Sequence, residues 1–476
     1  MECETFAIKG KTKANPRFHI HLEDKPINVC DSEMTLLGKQ YSYKSNPGSD
    51  QTRLLARWGD VLEKINDSGL YGPQKLRIAD LALKGFFRWP LATIKLPTSF
   101  GEKLTSLVTA FYKRWTGLAR SGSPAVFFLP AKQKGLGLTN PLLLVRQCQV
   151  STALLLLQSR DELIRRLAHN QLDKETAAAL KPDAKYKVFR SYFMANQLRS
   201  QIEEAVQNDK VPRPAAVRSF AAKALVKQAT ADMVKHCQTL AVQGKNINDV
   251  AAAPPPWMAR AAHLQRRVLC FGLNGYMDCL PSGANVRRWF KGKAECGRCG
   301  KYQTLHHVLS HCEPSLPRYT IRHNKVLALL HAFVLLHLPP GWAVLVDLPE
   351  LPSSYHRLPE RWTDLLQRPD LVLYNETTRE IIFVELTVPA DIGMAAAMLR
   401  KLVRYRDLVK ELEAKFYKAR TVTVEIGALG SLPTNGLAPL RELLHAPKAK
   451  EWNEFLFDLS LSALKSSGEI FDQRDA

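Results

Sequence analysis

Apolar positions change their period more than once along the chain. Between residues 6 and 48 they alternate over short stretches: Phe18, Ile20 and Leu22 are separated by His19 and His21, Pro26-Ile27-Asn28-Val29 follows a turn, and Leu36-Leu37-Gly38 closes the segment. A period of two sends successive side chains to opposite faces of a strand, so a small β-hairpin region is predicted there. From residue 51 to about 242 the apolar residues recur at helical spacing, as at Leu54, Leu55, Trp58, Val61, Leu62 and Ile65, which predicts a helical domain. Ala251-Ala252-Ala253-Pro254-Pro255-Pro256 interrupts that pattern. Consecutive prolines fix the backbone in an extended, helix-incompatible form, so this stretch reads as a linker.

Beyond the prolines the pattern predicts a helix over 257–271, a compact cysteine/histidine cluster and a helix over 321–338. An α/β region follows, with strands at 343–347, 370–374, 381–387 and 421–426 and one helix over 393–414. The uncharged stretch 326–346 is the one membrane suspect; it contains His331 and His337 and is divided by Pro339-Pro340-Gly341, so a buried helix followed by a strand is expected. No internal repeat at a fixed period is visible. The expected fold is therefore multidomain. A β-hairpin (1–48) leads into a largely α-helical half (49–245) and a Pro/Ala linker (246–256). A helix with the cysteine/histidine cluster (257–317) and an α/β domain (318–476) complete it.

Composition adds a partner to this outline. Across 476 residues, 67 Lys and Arg face 45 Asp and Glu, a formal net charge of +22 that points to a polyanion, with nucleic acid first. Arginines and lysines punctuate the helical half, among them Lys103, Lys113, Arg114, Arg120, Arg165, Arg166 and Arg199, either as solvated faces or as a groove that tracks a phosphate backbone. The segment beginning Met1-Glu2-Cys3-Glu4 lacks the basic and apolar regions of a secretory signal, and no membrane partner is expected. The nine cysteines all lie between Cys3 and Cys312 in a long chain, which fits a reducing compartment and no disulfide framework.

Four of the cluster's residues have metal-ligand spacing. Cys296-Gly-Arg-Cys299, His307 and Cys312 form the pattern C-x2-C-x7-H-x4-C, in which a Gly-containing knuckle lets two thiolates converge and the next turn and helix supply the other pair. Four ligands fill a tetrahedron, so the expectation is a structural Zn2+ site, with His306 and His311 as competing ligands. Just downstream, Arg318, Arg322, His323 and Asn324 cluster at a helix start, where phosphate contacts and ordinary helix-start chemistry are both open readings.

A second constellation follows. Pro369-Asp370 opens the apolar run Leu371-Val372-Leu373-Tyr374; a polar turn at 375–379 reverses the chain into Ile381-Ile382-Phe383-Val384, which ends at Glu385-Leu386-Thr387. A hairpin of this length brings Asp370 beside Glu385. Paired carboxylates in an apolar sheet repel one another, and oxygen ligands suit Mg2+ or Mn2+, which can activate water and stabilise charge on a scissile phosphate. Lys401, Tyr405 and Leu408 recur at spacings of four and three, so they share one helix face. Lys401 is placed to complete the site.

These residues resemble a known family. Pro369-Asp370, Glu385-Leu386-Thr387-Val388-Pro389 and Lys401-x3-Tyr405-x2-Leu408 are similar to the restriction-like endonuclease of R-two-type non-LTR retrotransposons, a branch of the PD-(D/E)xK nucleases. The cysteine/histidine cluster and Arg322-His323-Asn324 resemble the CCHC zinc knuckle and following helix of those proteins. Phe271-Gly-Leu-Asn274 and Leu280-Pro281-x4-Val286-Arg-Arg-Trp289 resemble the linker before the knuckle. Arg88-Trp89-Pro90 and the run from Tyr112 through Trp115, Gly117, Leu118 and Arg120 are similar to the thumb and linker helices, and the hairpin ending at Leu36-Leu37-Gly38-Lys39 to the last strands of the palm.

The resemblance implies a nuclear, Mg2+- or Mn2+-dependent endonuclease that nicks a DNA target, with Asp370, Glu385 and Lys401 catalytic, structural Zn2+ on the knuckle, and Arg318, Arg322, His323, Asn324 and Tyr405 against nucleic acid. It also implies element RNA as a partner. Two departures matter. No Asp-Asp dipeptide occurs in the chain, so no polymerase activity is expected of it, and it reads as the C-terminal portion of such a protein. Thr387 stands where many relatives carry the lysine of the motif; the retrotransposon branch displaces that lysine to the helix, where Lys401 satisfies it and Lys410 is the fallback. The alternative readings are a non-catalytic DNA- or RNA-binding remnant and a chain that cannot fold without its palm.

Overall fold

A computed structural model describes residues 47–94, 96–179, 189–205, 214–351 and 354–475, together with short paired strands among residues 4–42. The expected hairpin around Phe18, Ile20 and Leu22 lies largely outside the described residues, while Glu33–Leu36 and Lys39–Ser42 pair antiparallel. The described chain is mostly helical with a few small sheets.

It divides into two compact units. The first takes in residues 1–70, 74–112 and 138–232. Its helices bury one apolar stripe each: Trp58 meets Phe87 edge-on with ring centroids 5.5 Å apart, and Leu154, Leu157, Leu198 and Val217 form a second cluster. The helix Pro141–Leu157 begins where the chemistry favours it, with Pro141 at its first position and the Asn140 side chain accepting from the Leu143 N–H at 3.2 Å.

The second unit comprises residues 71–73, 113–137 and 233–476. The Ala/Pro stretch read as a linker lies inside it. Ala252–Ala253 pair antiparallel with Leu432–Pro433, the buried Trp257 indole donates to the Leu429 carbonyl at 2.7 Å, and Pro256 opens a helical turn. That anchoring also breaks up the helix expected over 257–271. A short turn, Pro256–Ala259, stops at Arg260, and the helix proper is Arg266–Tyr276.

The α/β part is built on α1 (Leu316–His337), β1 (Ala343–Val346), β2 (Leu371–Asn375), β3 (Glu380–Thr387), α2 (Met394–Arg404), α3 (Arg406–Ala414), β4 (Lys418–Glu425) and α4 (Ala449–Asp472). The membrane suspect is thus a helix followed by a strand, and among the described residues no helix is long and apolar enough to cross a membrane. The sheet order is β1-β2-β3-β4, antiparallel except for the parallel β3–β4 pair. Both faces of β3 are covered, which explains its nearly continuous apolar run. Ile382, Val384 and Leu386 face α1 and α4, with Leu330 and Leu459; Ile381 and Phe383 face Trp362, Tyr405, Leu408 and Leu412.

Helices α2 and α3 replace the single helix expected over 393–414. Tyr405 interrupts it at φ −98° and ψ 5°, because its buried ring stacks on Phe383 and its hydroxyl donates to the Arg368 carbonyl at 3.2 Å. Tertiary anchoring of one side chain outweighs helix continuity there. The long C-terminal helix α4 closes the far face of the sheet. Leu459, fully buried in that core, should therefore cost about 2–5 kcal/mol when truncated to alanine. Leu366→Ala, at a residue 81% exposed, should cost under about 0.5 kcal/mol; urea unfolding midpoints of both variants test the pair.

Candidate active site and metal centre

The β2–β3 register decides where the carboxylates meet. Leu371 pairs with Val384, so Asp370, just before β2, sits beside Glu385 near the end of β3. The Asp370 N–H donates to Glu385 Oε1 at 3.0 Å, and the Leu386 N–H donates to Asp370 Oδ2 at 2.8 Å. Each acid is thus held by the other's backbone neighbourhood. Glu385 is fully buried and Asp370 is 9% exposed. The Tyr355 hydroxyl donates to the Pro369 carbonyl, fixing the residue before Asp370.

Lys401 enters from the last turns of α2. Its Nζ lies 2.6 Å from Glu385 Oε2 and 3.3 Å from Asp370 Oδ2, so the spacing read from sequence does bring this lysine to the carboxylates. Tyr405 and Leu408, on the same side, pack into the sheet. His323 arrives from α1, with Nε2 3.3 Å from Asp370 Oδ1 and Nδ1 3.4 Å from Asn324 Oδ1. Three separate elements therefore converge on one carboxylate pair.

The electrostatics follow from that crowding. Burial, and then the negative charge of Asp370, push the Glu385 carboxyl up to about 7, although Lys401 pulls the other way. Burial also opposes ionisation of Asp370, yet the hydrogen bond and charge of His323, with Lys401 behind them, hold it below the usual carboxylate range. Burial would lower both His323 and Lys401; Asp370 outweighs it at His323, and the two carboxylates outweigh it at Lys401, so both cations rise. Lys401 is an ammonium here, a source of positive charge and hydrogen bonds.

Other residues assigned to nucleic acid have different surroundings. Arg322 is 2% exposed; its guanidinium donates to the Val388 carbonyl and to Ser467 Oγ, each at 2.9 Å, which ties α1 to the segment after β3 and to α4. Tyr405 is buried, and burial raises its phenol. Neither presents a surface to a ligand: a polar residue near a helix start looks the same in sequence whether it faces water or a buried carbonyl. Arg318 is on the surface with Nη1 donating to the Gln473 carbonyl at 2.8 Å. Asp391, which the sequence reading did not single out, is buried and accepts from the Leu429 and Ser431 N–H groups at 2.8 and 3.1 Å, clamping the loop after β4 to the loop after β3.

The second centre is more compact. One donor atom from each of Cys296, Cys299, His307 and Cys312 lies within 4.8 Å of the others, a set able to hold a metal ion. Cys296 Sγ and Cys312 Sγ are 3.8 Å apart, and Cys299 Sγ is 3.2 Å from His307 Nε2. Gly300, at φ +71°, lets the knuckle turn back so that its N–H donates to the Cys296 carbonyl at 2.8 Å. The Thr304 hydroxyl caps the His307 N–H at 3.0 Å. Burial raises the Cys296 thiol, but the backbone at Arg298 and the His307 ring outweigh it and bring it down to about 6. His307 joins the set, while His306 and His311 pack against each other with ring centroids 4.3 Å apart.

The raised Glu385 carboxyl has a stability consequence with a definite sign. Because its folded pKa, near 7, lies above its ordinary value of 4.5, the ionised form is disfavoured by folding, and stability falls as pH rises through that window. Removing the charge with Glu385→Gln should leave stability unchanged below pH 4.5 and raise it relative to the parent above pH 7, in thermal melts without added divalent ion. A parent that gains stability over the variant from pH 5 to 8 would show that Lys401 dominates the environment of Glu385.

Comparison with protein-family models gives no match, and neither does comparison with curated proteins, so the chemistry of this site rests on its own geometry.

Proposed function

We propose that this chain is a divalent-metal-dependent DNA endonuclease that nicks its target, with Asp370 and Glu385 as the metal-holding carboxylates and Lys401 as the catalytic cation. The observation that supports it best is the convergence of Lys401 Nζ on both carboxylates, at 2.6 and 3.3 Å, from an element separate from the hairpin that carries them. The residues fit the ion: two buried oxygen donors of like charge sit side by side, and this donor chemistry suits Mg2+ or Mn2+. When bound, the ion supplies Lewis acidity to a water and to the oxygens of the scissile phosphate.

The chain's own side chains have complementary tasks. Asp370, held by the Leu386 N–H, and Glu385, held by the Asp370 N–H, keep the donor oxygens fixed. Lys401 offsets negative charge that accumulates on phosphate during attack. Hydrolysis with this machinery breaks a P–O bond and leaves a hydroxyl end, the product a retrotransposon-type enzyme would use as a primer, in keeping with the motif resemblance.

On this reading Zn2+ fills the Cys296, Cys299, His307 and Cys312 set as a structural ion, since four ligands leave no open position. The net charge of +22 supports DNA, and RNA of the element, as partners; the nucleus is the corresponding compartment.

Supercoiled plasmid should be converted to the nicked form in Mg2+ or Mn2+. Asp370→Asn, Glu385→Gln and Lys401→Ala should each lower the single-turnover rate by at least about 100-fold while DNA affinity stays within a few fold. Parent-like cutting by either carboxylate variant would show that the site is misassigned. Undiminished binding with no cutting by the parent over a range of divalent ions would select the non-catalytic remnant. The purified protein should also carry one zinc per chain by elemental analysis. Cys312→Ser should lose that zinc and unfold the knuckle, read as new protease cuts between residues 295 and 315.

A further inference from the structure

The first unit holds a cavity that the carboxylate site does not use. Three of its helices, Gly72–Thr93, Pro141–Leu157 and Pro214–Thr239, border a space of about 740 Å3, which is within the range of ligand-binding clefts. The floor is one stripe of Pro141–Leu157. Leucine, valine and alanine occupy most positions of that helix, as suits one packed among other helices, yet Gln147, Cys148, Ser151 and Thr152 recur at spacings of three and four and line the cavity together. Gln147 Nε2 donates to the Ala222 carbonyl at 3.3 Å, tying the floor to one wall. A helical serine or threonine commonly bonds the carbonyl four residues back. The hydroxyls of Ser151, Thr152 and Ser219, all at the cavity, instead make no hydrogen bond to another described residue.

The walls are cationic. Lys84 and Arg88 stand one helical turn apart on one wall and Arg218 stands on the other, and the described residues that line the cavity include no Asp or Glu. Lys84 Nζ does lie 2.9 Å from Asp80 Oδ2, but Asp80 is buried outside the lining, where its Oδ1 accepts from the Thr139 N–H at 2.7 Å. The lysine side chain keeps 52% of its surface exposed. A net positive charge therefore remains on the walls. Burial pushes the Cys148 thiol up and the charge of Arg88 pulls it the other way, so that guanidinium acts on the floor as well. Between the two cations of the first wall, Gly85 keeps the space open: a Cβ at this position would meet nothing within 4 Å.

We propose that this groove binds single-stranded RNA, with Lys84, Arg88 and Arg218 against phosphates and the Ser151 and Thr152 hydroxyls against the ribose. Cations without carboxylates among them call for a polyanion. A cavity of this volume takes a strand and not a duplex, whose major groove alone is about 12 Å wide. Hydroxyl groups both donate and accept, which matches the 2′-hydroxyl that tells RNA from DNA. Leu144 and Leu155, also in the lining, offer apolar contact to sugars and bases. The groove belongs to the first unit and the carboxylates to the second, so the inference does not depend on the nuclease reading.

Fluorescence anisotropy of the full chain with labelled oligouridylate and with oligodeoxyuridylate tests it, and Cys148 supplies a footprint on the parent protein. Oligouridylate should bind more tightly than its deoxy counterpart and should slow alkylation of Cys148 by N-ethylmaleimide, read by peptide mapping. Gly85→Glu puts a carboxylate at an open helical position where glutamate is a better helix former than glycine, so the fold is kept. Its affinity for oligouridylate should fall at least about 10-fold through like-charge repulsion, and Gly85→Gln, which lacks the charge, should lose less. Arg88→Gln should reduce the slope of log affinity against log salt by about 0.7, the contribution of one phosphate on a single strand. Oligouridylate that fails to bind, or binds without shielding Cys148 and without responding to Gly85→Glu, would overturn the inference. Equal affinity and shielding by the deoxy strand would overturn the choice of RNA. A dimer that forms with rising concentration and is broken by Gly85→Glu would assign the groove to a second copy of the chain instead. None of these readouts needs DNA cutting, so a failure here and a failure of the nuclease reading are seen separately.

Discussion

Two carboxylates are pressed together at the end of a hairpin, and much of the neighbouring structure answers that fact. Like charges about 4 Å apart near a protein surface repel by roughly 4 kcal/mol. The β2–β3 register makes the encounter unavoidable, since pairing Leu371 with Val384 leaves Asp370 nowhere else to go. Compensation comes from every element within reach: backbone N–H groups from the hairpin, Lys401 from α2 and His323 from α1. The raised carboxyl of Glu385 and the depressed one of Asp370 are the two sides of this arrangement. Removing one of the cations leaves a buried charge uncompensated, which is why such groups hold geometry as well as charge.

The helices that bring those cations are themselves pinned by polar anchors inside the protein. Arg322 bonds to Val388 just beyond β3, and Tyr405 bonds to Arg368 just before Asp370. Both anchors thus attach to the chain within a few residues of a carboxylate. A shift of α1 or α2 along the sheet would break a buried hydrogen bond before it moved His323 or Lys401 away. Asp391 serves the same purpose on the loop after β3, where Leu429 and Ser431 donate to it. The residues that look dispensable for chemistry are therefore the ones that fix distances at the site.

The two clusters differ in how closely their side chains converge. The cysteine and histidine donors all lie within 4.8 Å of one another, and among the described residues theirs is the group that meets this condition. That closeness suits an ion with a complete tetrahedron and a structural role. The carboxylate pair instead meets His323 and Lys401 on different oxygens of Asp370, a looser arrangement.

Much of the α/β architecture was legible in the sequence because it depends on local periodicity. The strands at 371–375 and 380–387, the helix before them, and the convergence of Asp370, Glu385 and Lys401 follow from hairpin length and helical spacing. The cysteine/histidine set able to hold a metal ion was legible for the same reason, since Cys296, Cys299, His307 and Cys312 are close in the chain. What the chain does across long separations was not. Pairing of Ala252–Ala253 with Leu432–Pro433 made part of a core from an apparent linker, stacking of Tyr405 on Phe383 split one helix into two, and rotation of α1 buried Arg322 while turning His323 onto Asp370. A residue's type and its spacing from its neighbours thus determined which groups can meet along one element. Only the packing of elements far apart in the chain decided which of those groups reach the carboxylates, because contact across that distance depends on which faces are buried together.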